Sequence, residues 1–315
     1  MMRKLVRLIR ILSSQFLIKI IRLFQFFEIQ TLVIDQLEKI RINVNKYKDY
    51  KSIISELELK RKIYLLDVGS LDFDFEKYFP LKYEEYFKVI LVEPNPSAAI
   101  NLVKNKKYQV VNKAFWSSEC KKKLYLTSPI SDGSSMYLPS KEGFDLYNPD
   151  DNYFANYKIS KEIEVECTTI DKSLSDHDVK YLDYLKIHAQ GAELEILKGL
   201  GRFKPLILNV KLFLTPMYEN IPDWTEILSY LKKLNYISCS WEKVGSSIFQ
   251  CPAQMNMLFI PNFLNDKGKK SILERKDEFI FLMLLTGQIK LLQTISNKIN
   301  LKLNTKIAQL KDYYF

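Results

Sequence analysis

The stretch "YLDYLKIHAQGAELEILKGLGRFKPLILNVKLF", residues 181–213, decides the fold. Its opening, "YLDYLKIHA" (181–189), reads as a fully buried strand. "AELEILKGL" then reads as an amphipathic helix, closed by Gly199 and Gly201 with Pro205 beyond, which are helix-stop signals. "PLILNVKLF" (205–213) is strand again. Buried strand, helix and buried strand in so short a span predict a mainly parallel sheet with helices on both faces.

The same alternation extends outward from residue 62 to residue 261. "KIYLLDVG" (62–69) is a buried strand ending in Gly69, and "KVILVEPN" (88–95) is a second. "PSAAINLVKN" (96–105) carries Pro96 in a first helical turn and apolar residues at helical spacing. "YQVVNKAFW" (108–116) reads as a third strand, with "KKLYLTS" pairing beside it. "IEVECTTI" (163–170), "YISCSWEKV" (236–244) and "MNMLFIP" (255–261) are further strands, with a helix from Trp224 to Leu234. Residues 129–160 hold Pro, Gly, Ser and Asp clusters without a sustained period, so an irregular excursion over the surface is expected there, a lid or binding loop. Residues 269–310 read as helical. The expected architecture is an α/β, Rossmann-like, doubly wound sheet over 51–261, with helical extensions at 1–50 and 262–315.

Composition narrows the function classes. At 315 residues and 47% hydrophobic content the chain can bury a full core. Cys120, Cys167, Cys239 and Cys251 lie far apart with no C-x-x-C pair, which argues against a zinc site or a disulfide framework and for a reducing cytosol. The net charge of +10 belongs to the two ends, with ten basic against four acidic residues over 1–50 and ten against five over 262–315. The middle is close to neutral, unlike a nucleic-acid enzyme with a basic stripe beside its site. No nucleic-acid partner is therefore expected. The N-terminal arm interleaves Arg3, Lys4, Arg7, Arg10, Lys19 and Arg22 with Leu, Ile and Phe. Lys19 and Arg22 interrupt any span long enough to cross a bilayer. Two readings stay open, an interfacial helix on an anionic membrane surface and a helix packed on the domain.

Six segments occur in a recognisable order: "LLDVGS", "VILVEPNP", "VVNKAF", "TTID", "DYLKIHAQGAELEILKG" and "NVKLFLTPMY". Together, over roughly residues 60–261, they resemble the FkbM-type methyltransferases. The resemblance implies a class I methyltransferase fold, S-adenosylmethionine as cofactor, and a hydroxyl of a saccharide, lipid-linked glycan or similar metabolite as acceptor. Ligands in such open sheets bind outside the carboxyl ends of the strands, where strand order reverses. Asp67, Gly69 and Ser70 end the first strand, where glycine lets the backbone approach a cofactor closely. Glu93 ends the second, where a carboxylate accepts the ribose hydroxyls, or serves only as a charge at the following helix start; Asn95 follows it. Asn112 and Ala114 end the third, either beside the adenine or in ordinary packing.

The departures from the family pattern bear on the chemistry. The first loop reads "DVGSLDF" where the family has D-V-G-A-N-x-G, so Leu71 and Phe73 replace an Asn and a Gly, and a Phe there would reshape or block the cofactor pocket. His188 stands where the family has an acid, and Asn209 where it commonly has a Glu, which disfavours a hard divalent metal. His188 is either a general base, with an ordinary pKa near ~6.5 suited to taking a hydroxyl proton, or a satisfied histidine left after loss of activity. Gln190 hydrogen-bonds substrate or cofactor, or caps the helix. Glu193, in the family motif, sits in the first helical turn. Lys186 and Lys211 either meet an acidic substrate group or are solvated. The competing function is a catalytically degenerate module of the same fold.

Overall fold

The computed structural model describes residues 45–46, 48–148, 151–244 and 253–310 of the chain. The basic N-terminal arm over 1–44 lies outside the described residues.

Ten strands are formed: β1 Ile63–Val68, β2 Phe87–Val92, β3 Gln109–Val111, β4 Ala114–Phe115, β5 Cys120–Pro129, β6 Tyr157–Thr168, β7 Tyr184–Ile187, β8 Ile207–Phe213, β9 Tyr236–Val244 and β10 Gln254–Pro261. The helices are α1 Lys51–Ile54, α2 Phe75–Tyr78, α3 Pro96–Val103, α4 Lys141–Tyr147, α5 Asp151–Ala155, α6 Ile170–Asp176, α7 Glu193–Lys198, α8 Trp224–Lys233, α9 Asp266–Leu273, α10 Lys276–Leu285, α11 Ile289–Ile299 and α12 Thr305–Ala308.

Seven strands make one sheet in the order β3-β2-β1-β7-β8-β10-β9. From β3 to β8 every pairing is parallel, and β10 runs antiparallel to both β8 and β9. Strand order reverses between β1 and β7, which places the ligand crevice of an open α/β sheet at their carboxyl ends. This is the mainly parallel α/β architecture expected from the alternating strands and helices.

Alternation within the strands sorts the two faces. Leu66 and Val68 of β1, Leu185 and Ile187 of β7, and Leu208, Val210 and Leu212 of β8 join Leu194, Ile196 and Leu197 of α7 and Ile227 and Leu231 of α8 in one buried cluster. Each such side chain contributes about 1.5–3 kcal/mol on leaving water. The intervening positions are polar: Asp67 pairs in register with Lys186, and Lys186 with Asn209. Two residues further along β8 comes Lys211, with Asn256 of β10 as its direct partner. A row of polar side chains thus crosses the opposite face toward the carboxyl ends.

Two expectations need correction. The strand expected over 108–116 is broken: β3 joins the large sheet, while β4 pairs with β6 in a separate three-stranded sheet of order β4-β6-β5. Ala114 therefore packs against Cys167 in that second sheet and does not end β3. The excursion over 129–160 is also more ordered than its composition suggests. It contains α4, whose start is capped by Ser140 accepting from the Gly143 N–H, then α5 and the first residues of β6. Its aromatic residues supply the order, since the Phe144 ring lies 4.5 Å from that of Tyr157 and 6.2 Å from that of Tyr218.

The described residues divide into two compact units, one of those within 45–60, 75–85 and 276–310, the other of those within 61–74 and 86–275. Within the first, the Tyr83 hydroxyl accepts from the Tyr50 N–H at 2.7 Å, and Lys306 pairs with Glu56. Among the described residues no helix is long and apolar enough to cross a membrane.

Candidate active site

The loop after β1 folds back on the sheet. Gly69 and Ser70 both donate their N–H groups to the Val92 carbonyl, at 3.0 and 3.2 Å. The Ser70 hydroxyl donates to Asp67 O at 2.7 Å and accepts from the Val92 N–H at 3.2 Å, so it stitches the ends of β1 and β2. Gly69 has φ +82°, and a Cβ there would come within 2.0 Å of the His188 carbonyl oxygen. Glycine is required for the closeness of the β1 and β7 ends as well as for its left-handed backbone. The Phe73 ring meets that of Tyr108, the residue before β3, edge-on at 5.2 Å.

Asp67 is fully buried, and its Oδ1 accepts from Lys186 Nζ at 2.8 Å. Lys186 also donates to Gly69 O at 3.0 Å. This lysine, a candidate for an acidic substrate, is in the structure the counter-ion of its in-register neighbour. Asp67 Oδ2 remains buried without a hydrogen-bond partner.

Glu93 immediately follows β2, with one oxygen accepting from the Asn95 N–H at 2.9 Å. Its second oxygen makes no hydrogen bond to protein among the described residues. Burial lifts its pKa to about 7, against the opposing pull of the Asn95 N–H and Lys186. Asn95 caps α3 by accepting from the Ser97 N–H. The Asn112 amide donates to the carbonyls of Glu93 and Pro94 at 2.8 and 3.3 Å, holding the carboxylate's own backbone in place.

The segment 188–193 divides its labour. Glu193 turns its buried carboxylate back over the loop, Oε1 accepting from the Ala189 N–H at 2.8 Å and Oε2 from the Gly191 N–H at 2.9 Å. Both oxygens are engaged with backbone, and burial raises the group's pKa. Gln190, at φ +53°, accepts from the Ser135 hydroxyl on its carbonyl at 2.6 Å, donates through its amide to Asp132 O, and accepts from Lys211 Nζ at 3.1 Å. It ties the 129–160 excursion to the sheet end. Gln190 and Glu193 are thus loop-holding groups, and the helix start is clasped by Glu193.

His188 is half-buried, and its N–H donates to Val68 O at 3.0 Å. Its Nε2 is screened from solvent and has no hydrogen-bond partner. Burial first, then the charges of Lys186 and Lys211, hold its pKa well below the ordinary value, with Asn256 opposing. The imidazole is therefore neutral at neutral pH, with a ring nitrogen able to accept a proton. Asn256 carries a buried, unpartnered Oδ1 on the same face. No local motif marks it; only the pairing of β10 with β8 brings it opposite Lys211. Among the described residues, no group of three or more His, Cys, Asp or Glu side chains is arranged to hold a metal.

The site brings together the ends of β1, β2, β7 and β8, with Glu93, His188 and Asp67 each keeping one unengaged polar atom and Ser70, Asn95, Asn112, Gln190 and Glu193 engaged within the protein. Ala114 is apart, 1% exposed in the core.

No curated protein matches the sequence. Among solved structures, similarity is found to a precorrin-6y C5,15-methyltransferase from Geobacter metallireducens GS-15, at 12% identity and TM-score 0.32 over 70% of this chain and 88% of that one. It is found also to a protein described as a DNA modification methyltransferase encoded within an E. coli prophage, at 8% identity and TM-score 0.31 over 64% and 48%. The Methyltransferase FkbM domain matches residues 67–238, more than half of the chain and all of the residues just described at the crevice except Asn256. The Rossmann-like sheet is accordingly of the class I methyltransferase kind, and the chain belongs to the FkbM methyltransferase domain family.

Proposed function

We propose that the chain is an S-adenosylmethionine-dependent O-methyltransferase acting on a hydroxyl of a saccharide, lipid-linked glycan or similar metabolite. The observation that carries this reading is the His188 imidazole, neutral and with an unpartnered Nε2, at the carboxyl end of β7 beside the switch point. Glu93 supports it, because a carboxylate with one unengaged oxygen at the end of β2 fits a ribose hydroxyl. S-adenosylmethionine, when bound, supplies an electrophilic methyl group on a sulfonium. Glu93 and the backbone at Gly69 would hold it, and Asn112 would keep Glu93 in position. The contact of Phe73 with Tyr108 is compatible with this reading.

His188 would take the proton that the acceptor oxygen loses as that oxygen bonds the methyl carbon and the carbon–sulfur bond breaks, the sulfur leaving as a neutral thioether and the imidazole ending as an imidazolium with the proton on Nε2. With its pKa held below the ordinary value the imidazole is in its proton-accepting form from pH 8 to pH 6, while the same burial and lysine charges reduce its strength as a base, so its rate contribution is expected to stay flat over that range. The test is transfer of tritiated methyl from S-adenosylmethionine to a panel of saccharides. His188→Ala is expected to lower kcat by about 10²–10⁴-fold with cofactor affinity unchanged. An unaltered kcat removes His188 from the chemistry.

A second reading, a non-catalytic module of the same fold, is favoured by the Lys186 ammonium, which occupies both Asp67 and the Gly69 carbonyl. Absence of binding to S-adenosylmethionine and S-adenosylhomocysteine at millimolar concentration would select it.

A further inference from the structure

Lys211 lies on β8, one residue beyond the Ile187–Val210 pair, and so is level with His188 on the same sheet face. It is only 8% exposed. Its Nζ donates to the neutral Gln190 Oε1 at 3.1 Å and stands 5.1 Å from the centre of the Phe213 ring. It meets no carboxylate among the described residues, and Glu193 and Asp132 act on it only through space. A buried ammonium without a counter-ion is costly, and burial accordingly brings its pKa down to about 8. Lys186, one strand away, has Asp67 at 2.8 Å.

The atoms flanking Lys211 are complementary in a second respect. His188 Nε2 and Asn256 Oδ1, the latter on the residue directly opposite Lys211 on β10, are both buried and close enough to act on one another, but neither completes a hydrogen bond of ordinary geometry. The ammonium lacks an anion, and the imidazole nitrogen and the amide oxygen can each accept from a hydroxyl. A small molecule bearing an anionic group and neighbouring hydroxyls satisfies all three.

We propose that Lys211 is the anion-recognition residue of the acceptor site, so that the methyl acceptor is a hydroxylated anion, an acidic sugar or a sugar phosphate, held with its anionic group on Lys211 Nζ and its hydroxyls facing His188 Nε2 and Asn256 Oδ1. This rests on the reading of His188 as the group facing the acceptor hydroxyl. Lys211 would thereby determine specificity, discriminating acidic from neutral saccharides, while the hydroxyl nearest Nε2 is the one methylated.

Calorimetry on the full chain saturated with S-adenosylhomocysteine tests this without turnover, using glucuronate, glucose 6-phosphate and glucose as probes. At pH 7 at least one charged sugar is expected to bind ten-fold or more tightly than glucose, with the stronger of the two deciding between carboxylate and phosphate. That advantage is expected to fall as pH is raised to 9, through the lowered pKa of Lys211, and to vanish in Lys211→Met. Should the variant fail to fold, the pH arm on the native chain decides alone. Equal binding of glucose and the charged sugars, absence of any sugar binding, or a Lys211→Met variant that weakens S-adenosylhomocysteine while keeping the preference for charge overturns the proposal. Charge discrimination without any methyl transfer would sink the proposed activity and leave the assignment of Lys211 standing.

Discussion

Lys186 and Lys211 lie on neighbouring strands of one sheet face, and their surroundings are opposite. Lys186 is locked between Asp67 and the Gly69 carbonyl, so the junction of β1 and β7 is neutral and cross-linked. Lys211 is nearly as deeply buried, yet among the described residues its only hydrogen bond is to an amide oxygen. The family motif runs through both places, but the first is a joint of the frame, and the second is the position proposed to meet a ligand. Buried charge is stabilising only where its partner is built in, and a residue left without one points to a partner from outside.

The widest separation between the two regions is expected from removing each ammonium. Lys186→Met leaves Asp67 buried and unpaired and is expected to lower stability by about 3–5 kcal/mol in denaturant titrations, most of it recovered when Asp67→Asn is added. Lys211→Met removes a charge that lacks a counter-ion and is expected to be neutral or mildly stabilising; a loss as large as that of Lys186→Met would erase the contrast. Glu193→Ala comes next. It strips the acceptor from two backbone N–H groups and is expected to cost about 2–4 kcal/mol by the same measurement.

Glu93 shows the site side of the comparison through pH. Its pKa is raised from 4.5 to about 7, so the folded chain holds this proton more tightly than the unfolded chain. Its contribution is therefore fully present below about pH 4.5 and is lost as pH rises through about 7. Glu93→Gln is expected to stabilise the chain by about 2–3 kcal/mol at pH 8 relative to its effect at pH 4. A pH-independent difference would show that the carboxyl is not strained. The smallest effect belongs to Ser70→Ala, which removes one stitch between β1 and β2 for about 1–2 kcal/mol.

Much of the frame was readable from residue pattern alone, because the strands of the large sheet are short runs rich in apolar and β-branched residues, interrupted by single polar positions and bounded by Gly, Pro or polar residues. The exception at 108–116 has a physical cause: β3 and β4 are both apolar, and only pairing with β6 sends Ala114 and Phe115 to another sheet. The helices α4 and α5 escaped notice because their order comes from Tyr and Phe contacts at long sequence separation. At the site, strand-end position picked out Glu93 and His188. It could not reveal that Gln190, Glu193 and Asn112 spend their polar atoms on backbone. Nor could it reveal that Lys186 has a counter-ion while Lys211 has none, since each depends on register between strands far apart in the chain.

Calorimetric titration of the full chain with S-adenosylmethionine at pH 8, before and after Glu93→Ala, tests the central claim most directly. Binding by the native chain, weakened at least ten-fold by the substitution, is the predicted result. No binding at millimolar cofactor, or an affinity that the substitution leaves unchanged, would contradict it.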